Sequence, residues 1–135
     1  MNRETIVREV NSFYAKHGIS ADDGVVGYGA AAVLHGIRPT TNDIDIDVHP
    51  SEFDYVASLE GTTKGKCLTG EFVAVGKVDC HVEEHESDVE LIDGIWVVGK
   101  RTLLRQYRWL FNHPNRCGDK RKHDLNVIRA LTRTV

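Results

Sequence analysis

A run of alternating aspartate and aliphatic residues is the feature that most constrains the fold of this chain. Residues 42–48 read Asn-Asp-Ile-Asp-Ile-Asp-Val, and such period-two alternation is typical of a strand with one buried face. Asp43, Asp45 and Asp47 then share one face, and the aliphatic residues between them share the other. We therefore expect a strand that packs on a core and presents a row of carboxylates.

That row of carboxylates predicts a cation site. Alternate Cβ atoms on one face of a strand are about 7 Å apart, so the negative charges repel each other unless a cation lies between them. Mg²⁺ prefers oxygen ligands and takes one or two carboxylates together with water or phosphate oxygens. The alternative is a solvated edge strand whose charges prevent aggregation, although Lys is the more usual charge there and Asp is depleted in strands.

A third carboxylate comes from another predicted strand. In residues 78–82, Val-Asp-Cys-His-Val, Asp79 shares a face with His81 and lies opposite the apolar residues. An aspartate in such a strand is either a paired buried carboxylate or a metal ligand, and we expect a ligand. Two metal ions bridged by three carboxylates can activate an attacking hydroxyl and neutralise a triphosphate.

A glycine turn lies just before the aspartate strand. Residues 25–32, Val-Val-Gly-Tyr-Gly-Ala-Ala-Ala, predict a strand that leads through glycines into a helix of small residues. Backbone N–H groups at such a helix start can bind phosphate, and small side chains let the ligand come close. A purely structural turn is the alternative.

The remaining pattern predicts an α+β fold, with helices at both ends of a small mixed sheet and one domain over residues 1–135. Apolar residues at helical spacing predict the helices, and apolar runs between glycines predict the strands. Ser51 is the expected N-cap of the helix that begins near Pro50. The expected helices are 6–14, 30–34, 50–59, 100–111 and 120–131, and the expected strands are 24–29, 42–48, 66–68, 71–75, 77–82 and 95–98.

Charge is divided unevenly along the chain. Residues 1–100 hold 8 Lys and Arg against 18 Asp and Glu, whereas residues 101–135 hold 9 against 2. The basic segment either meets an anionic ligand beside the acidic part or neutralises an acidic body within one fold. The cations open to a triphosphate or a nucleic-acid backbone are Arg38, Lys77, Arg101, Arg105, Lys120, Arg121 and Lys122.

Cysteine usage favours a cytoplasmic protein. Cys67, Cys80 and Cys117 are odd in number and form no Cys-x-x-Cys pair, which is typical of reduced thiols. A zinc site built on Cys80, His81 and His85 is disfavoured because residues 80 and 81 of a strand point to opposite faces. No apolar run approaches the roughly 18 residues of a membrane helix.

Several of these motifs together resemble the nucleotidyltransferase fold of the DNA polymerase beta superfamily. The chain is more closely similar to the minimal nucleotidyltransferases, including those of toxin–antitoxin and abortive-infection systems, in which a Gly-Gly or Gly-Ser turn precedes an Asp-x-Asp strand. The resemblance covers residues 24–82 in motif detail and the rest of the chain more loosely. The motifs are Gly29-Ala30, Leu34-His35-Gly36, Thr41, Asp43-Ile44-Asp45 and Asp79.

This resemblance implies roles for the three aspartates. Asp43 and Asp45 are expected to bind Mg²⁺, with Asp79 as the third metal-binding carboxylate. Asp79 is also the expected base toward the acceptor hydroxyl.

The resemblance also implies that the glycine turn binds the nucleotide. Gly29, with Tyr28 or Ala30 beside it, is expected to hold the triphosphate, and Arg38 and Thr41 are further candidates for nucleotide binding. The usual Gly-Gly or Gly-Ser is replaced here by Tyr28-Gly29 or Gly29-Ala30, so the serine hydroxyl of the family pattern is missing.

The expected function is Mg²⁺-dependent transfer of a nucleoside monophosphate from a nucleoside triphosphate to a hydroxyl, with release of pyrophosphate. The acceptor is a protein side chain, an RNA end or a small molecule. One alternative is a catalytically silent relative that binds a nucleotide or a partner protein as a regulator. Another is a small nucleic-acid-binding module led by residues 101–133, whose binding would depend steeply on salt and survive mutation of all three aspartates.

Overall fold

The computed structural model of the chain describes residues 1–82 and 88–135. His85, named above as a zinc candidate, lies outside the described residues. Within these two ranges the chain forms five helices and seven strands, in the order α1 (Arg3–His17), β1 (Gly24–Gly27), α2 (Tyr28–Leu34), β2 (Ile44–Val48), α3 (Pro50–Ser58), β3 (Thr63–Cys67), β4 (Gly70–Val75), β5 (Val78–Val82), β6 (Val89–Ile92), β7 (Ile95–Val98), α4 (Lys100–Asn112) and α5 (Gly118–Thr134).

All of these strands join one mixed sheet. Their order across the sheet is β3-β4-β5-β2-β1-β7-β6. The pairs β2/β5 and β1/β7 are parallel, and the other neighbours are antiparallel. The predicted α+β class, a mixed sheet flanked by helices, is confirmed.

The aspartate strand is at the centre of the sheet, and its aliphatic face forms part of the core. Ile44, Ile46 and Val48 are fully buried, in the same cluster as Ile6 and Val10 of α1. Full burial of each such side chain stabilises the fold by about 1.5–3 kcal/mol. A one-residue slip of β2 would exchange these side chains for aspartates, so the core fixes the carboxylates on the opposite face.

The boundaries of several elements differ from the sequence predictions. The N-cap of α3 is His49, not Ser51, because Pro50 takes the first helical position, where its missing N–H is not needed. Strand β6 was not predicted; it pairs with β7 through the turn at Asp93 and Gly94. Strand β3 begins earlier than expected, and α5 begins at Gly118 and not at residue 120.

None of the helices in the described ranges is both long and apolar enough to cross a membrane.

Candidate active site

A cavity of about 630 Å³ lies over the carboxylate face of β2 and β5. Asp43, Asp45 and Asp79 all border this cavity. Its other walls come from the β1–α2 turn, from the β3–β4 hairpin and from the facing sides of α4 and α5. The three aspartates that the sequence singled out therefore face one common space.

Strand register places the carboxylates side by side. Asp45 of β2 is the direct partner of Asp79 in the parallel strand β5, and Asp43 immediately precedes β2. Burial, followed by the charges of Asp45 and Asp43, raises the pKa of Asp79 to about 6. Burial and the charge of Asp45 also raise the pKa of Asp43. The fold thus brings these carboxylates close enough for the expected repulsion between their charges.

His81 partly compensates this negative charge. Its Nε2 lies 2.9 Å from Asp45 Oδ1, and the side chain is nearly buried. Burial opposes the charged imidazolium, but the hydrogen bond with Asp45 and the nearby carboxylates outweigh it and raise the pKa of His81. Sequence reasoning placed His81 on the face of Asp79 but gave it no partner, since that partner depends on strand pairing.

Cys80 points away from this site. It is fully buried in the core on the opposite side of β5, and burial is the main reason that its pKa is raised to about 12. Cys80 and His81 therefore cannot ligate one metal ion together.

Two of the cations named from the sequence border the cavity. Arg38 and Lys120 line it and oppose the rise in the pKa of Asp43. Arg38 Nη1 also donates a hydrogen bond to the Tyr107 hydroxyl at 3.1 Å. The other cations named from the sequence do not line this cavity within the described part of the chain: Lys77, Arg101, Arg105, Arg121 and Lys122.

Arg116 also borders the cavity, where it is paired with Asp124, another residue of the lining. Its guanidinium makes two hydrogen bonds of 2.8 and 2.9 Å to the carboxylate of Asp124. Asp124 is only 1% exposed, so this ion pair ties the loop before α5 to the helix itself. Neither residue was singled out from the sequence, because helical periodicity does not show which polar side chains pair.

The glycine turn packs closely against two candidate ligand contacts. A Cβ added at Gly29 would lie 2.5 Å from Thr41 Oγ1 and 3.1 Å from Arg38 Nη1. Thr41, only 5% exposed, therefore supplies a hydroxyl beside a turn that contains no serine. Tyr28 has a left-handed φ of 51°, which costs roughly 1–2 kcal/mol for a residue with a Cβ.

One predicted contact of the turn is not at the cavity surface. The side chain of Ala30 is fully buried in the core and does not line the cavity in the described residues. Because Ala30 lies inside α2, its methyl group packs inward, whereas Tyr28 and Gly29 border the open space.

The donor chemistry of the site fits Mg²⁺. Three carboxylates border the cavity, and burial and then mutual repulsion raise the pKa of two of them. Carboxylate oxygens are the donors that this hard cation prefers. As their side chains are placed in the structure, no three or more His, Cys, Asp or Glu within residues 1–82 and 88–135 form a group that could hold a metal ion. Asp45 is instead hydrogen-bonded to His81, so a cation has to compete with that contact.

A second cavity of about 350 Å³ adjoins the first. The two cavities share Tyr28, Thr69 and His81 as a common wall. Asp47 and Gln106 are among the residues that line only the second cavity. A molecule bound there would lie across His81 from the paired carboxylates of Asp45 and Asp79.

No family model matches the sequence, and no curated protein matches it either. Solved structures that are similar in fold include the following two. The Megavirus polyadenylate synthase aligns with a TM-score of 0.61 and 13% identity over 97% of this chain and 31% of the viral one. The antibiotic-resistance factor ANT(2'')-Ia aligns with a TM-score of 0.60 and 14% identity over 96% of this chain and 82% of its own.

This chain thus spans less than a third of the length of the viral synthase. At such low identities the likeness concerns the fold alone. The chain has a nucleotidyltransferase fold, with nucleotidyl-transferring enzymes as its structural neighbours.

Proposed function

We propose that this chain is a Mg²⁺-dependent nucleotidyltransferase that moves a nucleoside monophosphate from a nucleoside triphosphate to a hydroxyl and releases pyrophosphate. The observation that carries the proposal is that Asp43, just before β2, Asp45 of β2 and Asp79 of β5 border one cavity together with Arg38 and Lys120. The fold, which is that of nucleotidyl-transferring enzymes, supports the same class of reaction.

The aspartates are the proposed holders of the metal. Asp43, Asp45 and Asp79 supply the oxygen donors. When bound, Mg²⁺ would offset the negative charge of the triphosphate and of the attacking oxygen.

In the proposed reaction a bond forms between the acceptor oxygen and the α-phosphorus, and the bond from that phosphorus to the leaving pyrophosphate breaks. Asp79 accepts the proton of the hydroxyl as the general base. Arg38 and Lys120 stabilise the negative charge that leaves with pyrophosphate. Gly29 and the Thr41 hydroxyl form the surface on which the phosphates rest.

The second cavity is the proposed binding site of the acceptor. Its shared wall with the first cavity, at Tyr28 and His81, places it next to the space that Asp79 borders. The acceptor, as expected from the sequence, is a protein side chain, an RNA end or a small molecule.

Transfer of label tests the proposal. The protein is incubated with Mg²⁺, cell lysate and each of ATP, CTP, GTP and UTP labelled at the α-phosphate. We expect one nucleotide or more to label an acceptor, and we expect Asp43→Asn and Asp45→Asn to abolish labelling. Asp54→Asn is the matched control, because Asp54 is exposed on α3 and outside both cavities.

Absence of any label transfer that requires Asp43 and Asp45 would favour the catalytically silent regulator. Binding of RNA that survives replacement of all three aspartates and weakens steeply with salt would favour the nucleic-acid-binding module.

The biological setting is also part of the proposal. The resemblance to minimal nucleotidyltransferases supports a role in a toxin–antitoxin or abortive-infection system, and the unpaired thiols support a cytoplasmic location. Expression in bacteria tests the role: the wild-type chain should slow growth or block phage, and Asp43→Asn should do neither. Equal behaviour of both chains would contradict it.

A further inference from the structure

The turn between β1 and α2 is held by a side chain from a distant part of the chain. The backbone N–H of Tyr28 donates a hydrogen bond to Gln106 Oε1 at 3.1 Å. The same amide group packs on Gly27, where an added Cβ would lie 3.2 Å from Gln106 Nε2. Gln106 of α4 therefore contacts two consecutive residues of the turn.

The turn requires this support because Tyr28 has a backbone conformation that tyrosine rarely adopts. Its φ of 51° lies in the left-handed region, where a Cβ is crowded by the backbone. Glycine adopts the same conformation without this steric conflict. The hydrogen bond that the Tyr28 N–H donates to Gln106 Oε1 offsets part of the strain and fixes the direction in which the chain enters α2.

Tyr107, the next residue of α4, contacts Arg38 on the other side of the β1–α2 turn. The Tyr107 hydroxyl accepts a hydrogen bond from Arg38 Nη1, and that nitrogen lies beside Gly29. Gln106 lines the second cavity and is not among the described residues that line the first. It therefore acts on the triphosphate site through Tyr28 and not by direct contact.

We infer that Gln106 is a positioning residue for the triphosphate: it holds Tyr28 in its left-handed conformation, so that Gly29 faces the phosphates next to Arg38. This inference rests on the proposed nucleotidyltransferase function. It requires that loss of the Gln106 acceptor impairs use of the nucleotide, and that the impairment disappears when residue 28 is glycine, which needs no such support.

Steady-state kinetics in two backgrounds test the inference. Gln106→Met keeps the length of the side chain but removes the amide oxygen. With the nucleotide that the wild type uses, we expect kcat/KM to fall roughly three- to tenfold, mainly through a higher KM, as loss of one hydrogen bond predicts. In a Tyr28→Gly background the same substitution should change kcat/KM less than about twofold. Arg108→Met, at an exposed position of α4, is the control and should leave both constants unchanged.

Hydrogen exchange provides a readout without nucleotide. Exchange of the Tyr28 amide should be roughly tenfold faster in Gln106→Met than in the wild type. Gln106→Glu retains an acceptor oxygen and should keep exchange slow. This measurement keeps the inference testable if Gln106→Met expresses poorly in active form.

The possible failures are distinguishable. An equal loss of kcat/KM in both backgrounds, a loss of kcat at unchanged KM, or unchanged exchange of the Tyr28 amide would overturn the inference and leave the proposed function standing. A wild-type protein that transfers no nucleotide and binds no MgATP by calorimetry would overturn both.

Discussion

Asp79 is the direct cross-strand neighbour of Asp45, on two parallel strands at the centre of the sheet. This register places two like charges side by side in a partly buried site. Burial comes first and the neighbouring charges second among the causes that raise the pKa of Asp79. Such a pair opposes folding in the absence of a cation, and carboxylates with raised pKa values are common at functional sites.

The pair predicts that the metal-free protein loses stability as pH rises. The pKa of Asp79 is about 6 in the folded state against 3.8 for the free side chain, so the folded state binds more protons between these values and the free energy of unfolding falls as pH increases through them. Asp79→Asn removes this effect. In EDTA at pH 7.5 it should raise the melting temperature by roughly 2–4 °C, and near pH 4.5 it should raise it much less. An equal rise in melting temperature at both pH values would contradict the predicted repulsion between Asp45 and Asp79.

The same variant should be nearly inactive. Loss of a general base lowers the rate of transfer by roughly 10²–10⁴-fold. Label transfer and the melting temperature should be measured on one preparation of Asp79→Asn. Reduced activity in a protein at least as stable as the wild type separates a catalytic role from a defect in folding, whereas wild-type activity would remove Asp79 from the mechanism.

Close packing at the glycine turn predicts a position-specific effect of a single methyl group. Gly29→Ala places a Cβ 2.5 Å from Thr41 Oγ1, so the turn or Thr41 has to shift and transfer should fall by roughly tenfold or more. Gly118→Ala is the matched control, since nothing lies within 4 Å of its added Cβ, and it should retain full activity. Comparable kinetics for the two variants would contradict the predicted role of the turn.

The buried ion pair between Arg116 and Asp124 predicts a large effect on stability. Arg116→Met leaves the carboxylate of Asp124, which is 1% exposed, without its partner. The free energy of unfolding should then fall by about 3–5 kcal/mol, and the double variant Arg116→Met, Asp124→Leu should recover most of this loss. Urea denaturation followed by circular dichroism measures both changes. A single variant within about 1 kcal/mol of the wild type would show that the pair contributes little.

Lys120 is predicted to contribute to nucleotide binding. Lys120 lines the cavity, and its charge opposes the rise in the pKa of Asp43, whereas Lys122 is exposed and outside the cavity lining. Lys120→Met should raise KM for the nucleotide roughly three- to tenfold, and Lys122→Met should not change it. The effect of Lys120→Met should also shrink at high salt, because screening weakens the attraction between exposed charges.

The carboxylate face could be predicted from the sequence because period-two alternation is a local property. The pattern of residues 42–48 alone places Asp43 and Asp45 on one side and buries Ile44 and Ile46 on the other. Which strand lies beside β2 is a non-local property, and β5 could be connected with it only through resemblance to a known family. Strand β6 escaped prediction because its four residues lack clear alternation and gain their order by pairing with β7.

The polar contacts of the site could not be predicted from the sequence for a similar reason. A helical pattern shows that Tyr107 faces inward, but it does not show that Gln106 reaches Tyr28, 78 positions earlier. The contact between His81 and Asp45 depends on the pairing of two strands. The sequence therefore predicts the carboxylates of the cavity, whereas the side chains that contact them are brought there by the tertiary fold.

The decisive experiment is a crystal structure of the protein with Mg²⁺ and a non-hydrolysable nucleoside triphosphate analogue. We expect a divalent ion bound by Asp43, Asp45 and Asp79, with the triphosphate between that ion and Gly29. A nucleotide bound elsewhere, or an ion that leaves all three carboxylates without contact, would contradict it.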